Sequence, residues 1–228
     1  MARGREELHA AMRLVHDSYV RLGFIRPNRH GLHVIPYHVL PTTDVIVAVR
    51  RGEVVATASV VMDSPHGLPL ECLYQEEVEA FRSRGFRIAE VSCLADKRDN
   101  DSGNAACLFR LMALVAQRSW RAGVNLHMIV VHPRHAKFYE HFLGFIKIGK
   151  EKPYEKVAGS PAVLLAGEID RLPEYNPRAY QRLCGESFPD ESYNFEFLAE
   201  DVAIELNEIC DETYPGGSFL PQPVPMCA

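Results

Sequence analysis

Glu90 lies in the middle of RIAEVSCLA, residues 87–95. Alternation along this run puts Ile88, Glu90, Ser92 and Leu94 on one face of a strand and Ala89, Val91 and Cys93 on the other. A run of this composition belongs at the centre of a sheet with helices packed against it. A carboxylate there is costly unless it is paired or put to use. Burial favours the neutral form of a carboxyl group and raises its pKa toward the range of a general base. The structural alternative is a buried salt bridge or a cap on a loop amide. The loop that follows, KRDNDSGNAA, has the makings of an anion site: Lys97 and Arg98 bring charge, and Ser102, Gly103 and Asn104 allow close backbone approach at a helix N-terminus. Many surface loops read the same way, and this one gains weight only from its place between two strands.

A second group of chemical residues sits in VVHPRHAKFYEHFLGF, residues 130–145, where an apolar run stops at His132-Pro133. His132 and His135 are three apart, but a zinc site wants a third or fourth ligand in a recognisable rhythm, and His141 would face elsewhere on the helix, so no metal is expected. A neutral imidazole at a strand end is a good proton carrier or hydrogen-bond donor, and the phenol of Tyr139 can donate a proton. The structural alternative has both histidines capping the helix and Tyr139 packed in the core.

These residues need elements to position them. Leu8, Met12, Val15 and Tyr19 step at helical spacing through residues 5–22, and Gly23 stops that helix. DVIVAV and VVATASVVM are β-branched runs flanking a short turn with a glycine, a hairpin. A helix over 71–84 leads to the strand with Glu90, and a second, N-capped by Ser102, carries the stripe Leu108, Leu111, Met112 and Val115. VNLHMIVV, residues 124–131, is apolar enough to be covered on both faces, and Pro133 opens a helix through Leu143. Residues 145–148 and 162–169 give two more strands. The order predicts an α/β sheet, antiparallel at the front and parallel around residues 88–131.

The chain has 228 residues, is 47% hydrophobic and 24% charged, and has the composition of a soluble globular protein. No apolar run is long enough for a membrane span, and the N-terminus lacks a secretory apolar segment. Six cysteines without a CxxC fit reduced thiols in a cytoplasm. Beyond Arg182 there is no Lys or Arg but ten Asp and Glu; removing those ten charges from the net −5 leaves +5 on residues 1–182. A mildly basic body without a basic helix or stacking motif excludes a nucleic-acid binder, and it could steer an acidic protein partner. Phe195, Leu198, Val202, Leu206 and Ile209 form the apolar stripe of an acidic helix, after which the C-terminal end YPGGSFLPQPVPMCA reads as loose. Residues 1–170 therefore read as one domain and 171–228 as an acidic helical extension.

The hairpin, TASVVMDSPHGLPLE, AEVSCLAD, VHPRHAKFYEHFLGF and GSPAVLL together resemble the N-acyl amino acid synthases, members of the GNAT acyltransferase superfamily related to the acyl-homoserine-lactone synthases. The resemblance spans residues 10–170 and is most specific at Asp63 with Gly67-Leu68-Pro69, at Ala89 to Ser92, and at Val131 to Phe145. It implies a mixed sheet with splayed parallel strands and flanking helices. It also implies transfer of a long-chain acyl group from the thioester of acyl carrier protein to the amino group of an amino acid. The donor is then an acyl-phosphopantetheine thioester, on carrier protein or on coenzyme A, no cofactor stays bound, and the lipid product allows peripheral contact with a membrane. Glu90, His132, His135 and Tyr139 become the catalytic candidates. Ser92, Leu94, Lys97, Arg98, Ser102, Gly103, Asn104 and Arg134 become the donor-binding ones.

KRDNDSGNAA lacks the Q/R-x-x-G-x-G/A spacing that holds coenzyme A in GNAT acetyltransferases, and a phosphopantetheine arm asks less of the loop. Where lactone synthases carry an arginine four residues before the first helix's aromatic, this chain has Val15 ahead of Tyr19, which speaks against S-adenosylmethionine. A lactone synthase, a short-chain N-acetyltransferase and a non-catalytic module binding acyl carrier or lipid are the alternatives.

Overall fold

The computed structural model describes residues 1–2, 4–97, 103–194 and 198–219. Arg98 and Ser102 of the loop, the side chain of Asn104 and Phe195 of the tail stripe lie outside the described residues. α1 (Gly4–Arg21) buries the predicted Leu8, Met12 and Val15 face. β1 (Thr43–Arg50) and β2 (Glu53–Met62) form the hairpin. Its turn residues Arg51 and Gly52 both have positive φ, 53° and 80°, the twist that a two-residue connection between antiparallel strands requires.

The remaining elements are α2 (Glu71–Arg82), β3 (Ile88–Asp96), α3 (Gly103–Arg121), β4 (Leu126–Val131), α4 (Pro133–Leu143), β5 (Ile146–Lys147), β6 (Lys152–Tyr154), β7 (Ser160–Glu168), α5 (Leu172–Tyr175), α6 (Pro177–Cys184) and α7 (Glu200–Thr213). β6, α5 and α6 were not foreseen. They are too short, and too broken by Pro153, Pro173 and Pro177, to show a period.

The sheet runs β1-β2-β3-β4-β7-β5, with β6 on β7, and is antiparallel except for β3 beside β4. That parallel pair holds register only at Ile88↔Leu126, Ala89↔His127 and Glu90↔Met128. Beyond it β3 follows β2 while β4 follows β7, so the two strands part at Glu90. The cause lies in β3. Ser59↔Ser92 and Thr57↔Ala95 leave one extra residue on the β3 side, and Cys93 takes it up with φ 50°. Such a bulge bends and twists its strand.

The bulge also overturns the uninterrupted alternation expected for 87–95. Cys93 and Ala95 join Ile88 in the core under α1 and α2, whereas Leu94 joins Ala89 and Val91 in the core under α3 and α4.

The acidic helix α7 lays Val202, Leu206, Ile209 and Cys210 against Leu8, Ala11 and Met12 of α1 and Val45 of β1. Its outer carboxylates meet the body's cations: Arg5 pairs with Asp201 and Glu205, and Arg29 and His30 pair with Glu212. The chain that follows is not loose through its described part. Phe219 packs edge-on against Tyr37 at 4.9 Å, and Asp211 accepts hydrogen bonds from the backbone and hydroxyl of Ser218 at 2.7 Å. Among the described residues no helix is long and apolar enough to cross a membrane.

Because Leu206 is fully buried in the core shared with α1, Leu206→Ala should destabilise the protein by about 2–4 kcal/mol. Ile204→Ala, on the exposed face of the same helix, should change it by less than about 0.5 kcal/mol. Urea unfolding of the two variants measures both, and equal effects would show that α7 is not part of the cooperative core.

Candidate active site

Where β3 and β4 part, a cavity of about 420 Å³ opens between them. Its two walls differ in kind. From the α3 and α4 side come Leu108, Met112, Ile129, Phe138 and Tyr139. From the α1 and α2 side come Glu90, Tyr19, His33, Tyr154, Lys156 and Tyr214. One wall is apolar, and the other is lined with a carboxyl group, phenols, an imidazole and an ammonium.

Glu90 is 4% exposed. Burial pushes its pKa up to about 8; against burial act a hydrogen bond from the Leu70 backbone N–H at 2.7 Å and the charge of Lys156, while Glu71 adds a little in the same direction as burial. The Leu70 amide is held in place by an arginine clamp. Arg82 donates to Asp63 through Nε at 2.7 Å and Nη2 at 2.6 Å, and its other edge reaches both carboxylate oxygens of Glu71. Glu71 in turn accepts from the Leu68 backbone N–H at 2.6 Å. Gly67 sits at φ +70°, where a Cβ would lie 2.8 Å from Glu71 Oε1, so the turn needs glycine for both conformation and space. Asp63 and Gly67-Leu68-Pro69, distant from Glu90 in the chain, thus fix the amide that touches it.

A second polar chain braces the bulge. His38 Nδ1 accepts from the Ile35 backbone N–H at 3.2 Å, and burial lowers its pKa to about 3, so the ring is neutral and Nε2 donates to Ser59 Oγ at 3.0 Å. The Ser59 hydroxyl reaches the Cys93 thiol, whose pKa burial raises to about 12.

The other sequence candidates fall at different depths. His132 is the N-cap of α4 and accepts from the Arg134 backbone N–H at 3.2 Å while also lining the cavity. His135 is exposed at the rim, where its Nε2 accepts from Arg134 Nε at 3.0 Å. Tyr139 lines the apolar wall, stacked edge-on against Phe138 and Phe145, and burial raises its pKa to about 12. Ser92 and Leu94 both line the cavity, from opposite faces of β3. Lys97 reaches across to Glu53 at 2.7 Å, at the hairpin end.

Sequence reasoning missed Tyr154, Lys156 and Tyr214. They come from β6, the short turn after it and the chain past α7, and no local pattern links those segments to Glu90. Among the described residues there is no group of three or more His, Cys, Asp or Glu side chains able to hold a metal.

The sequence profile of the N-acyl amino acid synthase FeeM matches residues 10–168. The chain belongs to this family. Among solved structures, FeeM from uncultured soil microbes is similar at 26% identity and TM-score 0.64, over 77% of this chain and 96% of that one. The acyl-homoserine-lactone synthase LasI shares the fold at 16% identity and TM-score 0.57, over 82% of this chain and 93% of its own. So does the coenzyme A-dependent lactone synthase BjaI, at 16% and 0.53, over 88% and 91%. No curated protein sequence matches. The fold is that of the GNAT acyltransferases, and membership of the N-acyl amino acid synthase family makes the chain an acyltransferase. The family match ends before α5, so Tyr214 enters the cavity from outside the matched region.

The raised pKa of Glu90 has a consequence for stability with a definite sign. Between the ordinary value of 4.5 and about 8, the folded protein holds a proton that the unfolded chain releases. The stability contributed by this group is complete below 4.5 and falls as pH rises to about 8. Glu90→Gln does not titrate, and its amide oxygen can still accept from Leu70. Its melting temperature should match wild type near the lower limit and rise above wild type with increasing pH, levelling off beyond the upper one. A constant difference across that range would show that Glu90 is ordinarily solvated.

Proposed function

We propose that this enzyme moves a long-chain fatty acyl group from the phosphopantetheine thioester of acyl carrier protein to the amino group of an amino acid. The observation that carries the reading is a buried carboxyl group at the point where β3 and β4 part, between a polar wall and an apolar one. β3 beyond Glu90 has left β4, so its amides on that edge are available to the pantetheine arm and to the thioester carbonyl. The acyl chain runs along Met112, Ile129 and Phe138, and the amine approaches from the side of Glu90.

In the reaction, ionised Glu90 takes a proton from the substrate ammonium, directly or through water. The freed nitrogen attacks the thioester carbonyl carbon; the C–N bond forms, the nitrogen gives its second proton to solvent, and the C–S bond breaks. Tyr139, whose phenol is fully protonated at neutral pH, gives its proton to the departing thiolate and regains one from solvent. His132 or His135, which line the same cavity, shares the proton-taking task of Glu90. Ser92 and Leu94, which line the cavity, hold the arm, and Arg134, beside His135, meets its phosphate. The cations of residues 1–182 that α7 does not pair would meet a strongly acidic carrier protein in the cytoplasm.

Purified enzyme given octanoyl to hexadecanoyl carrier thioesters and the proteinogenic amino acids should form acyl amino acids detectable by mass spectrometry. Glu90→Gln should lower kcat/KM by about 10²–10⁴-fold with folding intact. An unchanged rate in that variant would remove Glu90 as the base, and lactones in place of acyl amino acids would overturn the acceptor.

A further inference from the structure

We propose that Lys156 and Tyr214 form the subsite for the carboxylate of the acceptor, so that the amine reaches Glu90 as one end of a zwitterion; this rests on the acyl-transfer reading above. Both residues line the same cavity as Glu90, on its polar wall. Lys156 Nζ donates to the Tyr214 hydroxyl at 2.6 Å and lies 4.8 Å from the centre of that ring. An ammonium has three donors, so two remain. No carboxylate is within ion-pairing distance of Lys156 among the described residues, although its charge is felt at Glu90. A half-buried cation and a buried acid, facing one cavity without pairing directly, leave room for a ligand bearing both opposite charges. A free α-amino acid has that pattern; a simple amine or an amino ester does not.

Tyr214 gives the subsite a particular source. It stands just past α7. The segment beyond it is held by Phe219 against Tyr37 at 4.9 Å and against His66 at 4.7 Å. The extension therefore supplies a wall of the acceptor site, and the choice of acceptor is set partly by residues beyond the stretch that the family profile matches.

The test compares the best amino acid acceptor with its methyl ester and its decarboxylated amine, at saturating dodecanoyl carrier thioester. Wild type should prefer the free acid through KM. Lys156→Met should raise KM for the acid by about 10- to 100-fold, the loss expected for a charge-assisted hydrogen bond, and should bring acid and ester to similar values. Lys156→Arg should restore most of the preference, and Tyr214→Phe should raise KM several-fold. If Lys156→Met keeps the wild-type ratio of acid to ester, the subsite is wrong while acyl transfer stands. If wild type acylates none of the acceptors, the acyl-transfer reading fails and takes the subsite with it.

Discussion

The proposed chemistry of this protein depends on a carboxyl group kept out of water at the place where two neighbouring strands separate. Neither half suffices alone. A continuous β3–β4 ladder would leave Glu90 buried with no substrate beside it, and a gap without the acid would be an apolar slot. The separation comes from one extra residue in β3, with Cys93 in the left-handed region and the sheet registering differently on either side of it. That conformation is unfavourable for a residue with a Cβ, and it persists because its surroundings hold it, here through the chain His38–Ser59–Cys93.

The position of Glu90 is set from further away than its neighbours in sequence suggest. Its backbone donor, Leu70, lies at the start of α2, and the turn before it is fastened by Arg82 between Asp63 and Glu71. An arginine between two carboxylates fixes geometry as well as charge, because its planar fork meets each one along a defined edge. The clamp keeps the amide of Leu70 aimed at a group that burial would otherwise hold protonated even more strongly. Partial stabilisation of the anion by one N–H and one distant ammonium leaves the acid near neutrality, where it can both take up and release a proton.

The acidic C-terminal extension has a double bearing on the structure. Its helix covers the outer face of α1 with apolar side chains and meets Arg5, Arg29 and His30 with its carboxylates, so much of the charge asymmetry in the sequence is spent within the molecule. The chain past the helix turns back toward the cavity and brings in a tyrosine. Charge counting alone sets an acidic extension against a basic body; only the fold shows which cations the acids meet.

Much of this was readable from the residues in order. Period-two and period-three-to-four patterns, the Arg51-Gly52 turn and the glycines after each long helix placed the main strands and helices, since those signals depend on contacts a few residues apart. A charged residue within a central apolar strand marked Glu90, because burial makes such a residue expensive wherever the strand lies. The sequence pattern could not show the bulge at Cys93, which depends on how β2 and β3 count against each other, and so it put Leu94 on the wrong face. Nor could it bring Lys156 and Tyr214 to Glu90: their meeting is set by the packing of β6 and α7 around one cavity, and no spacing along the chain encodes a distance through the fold.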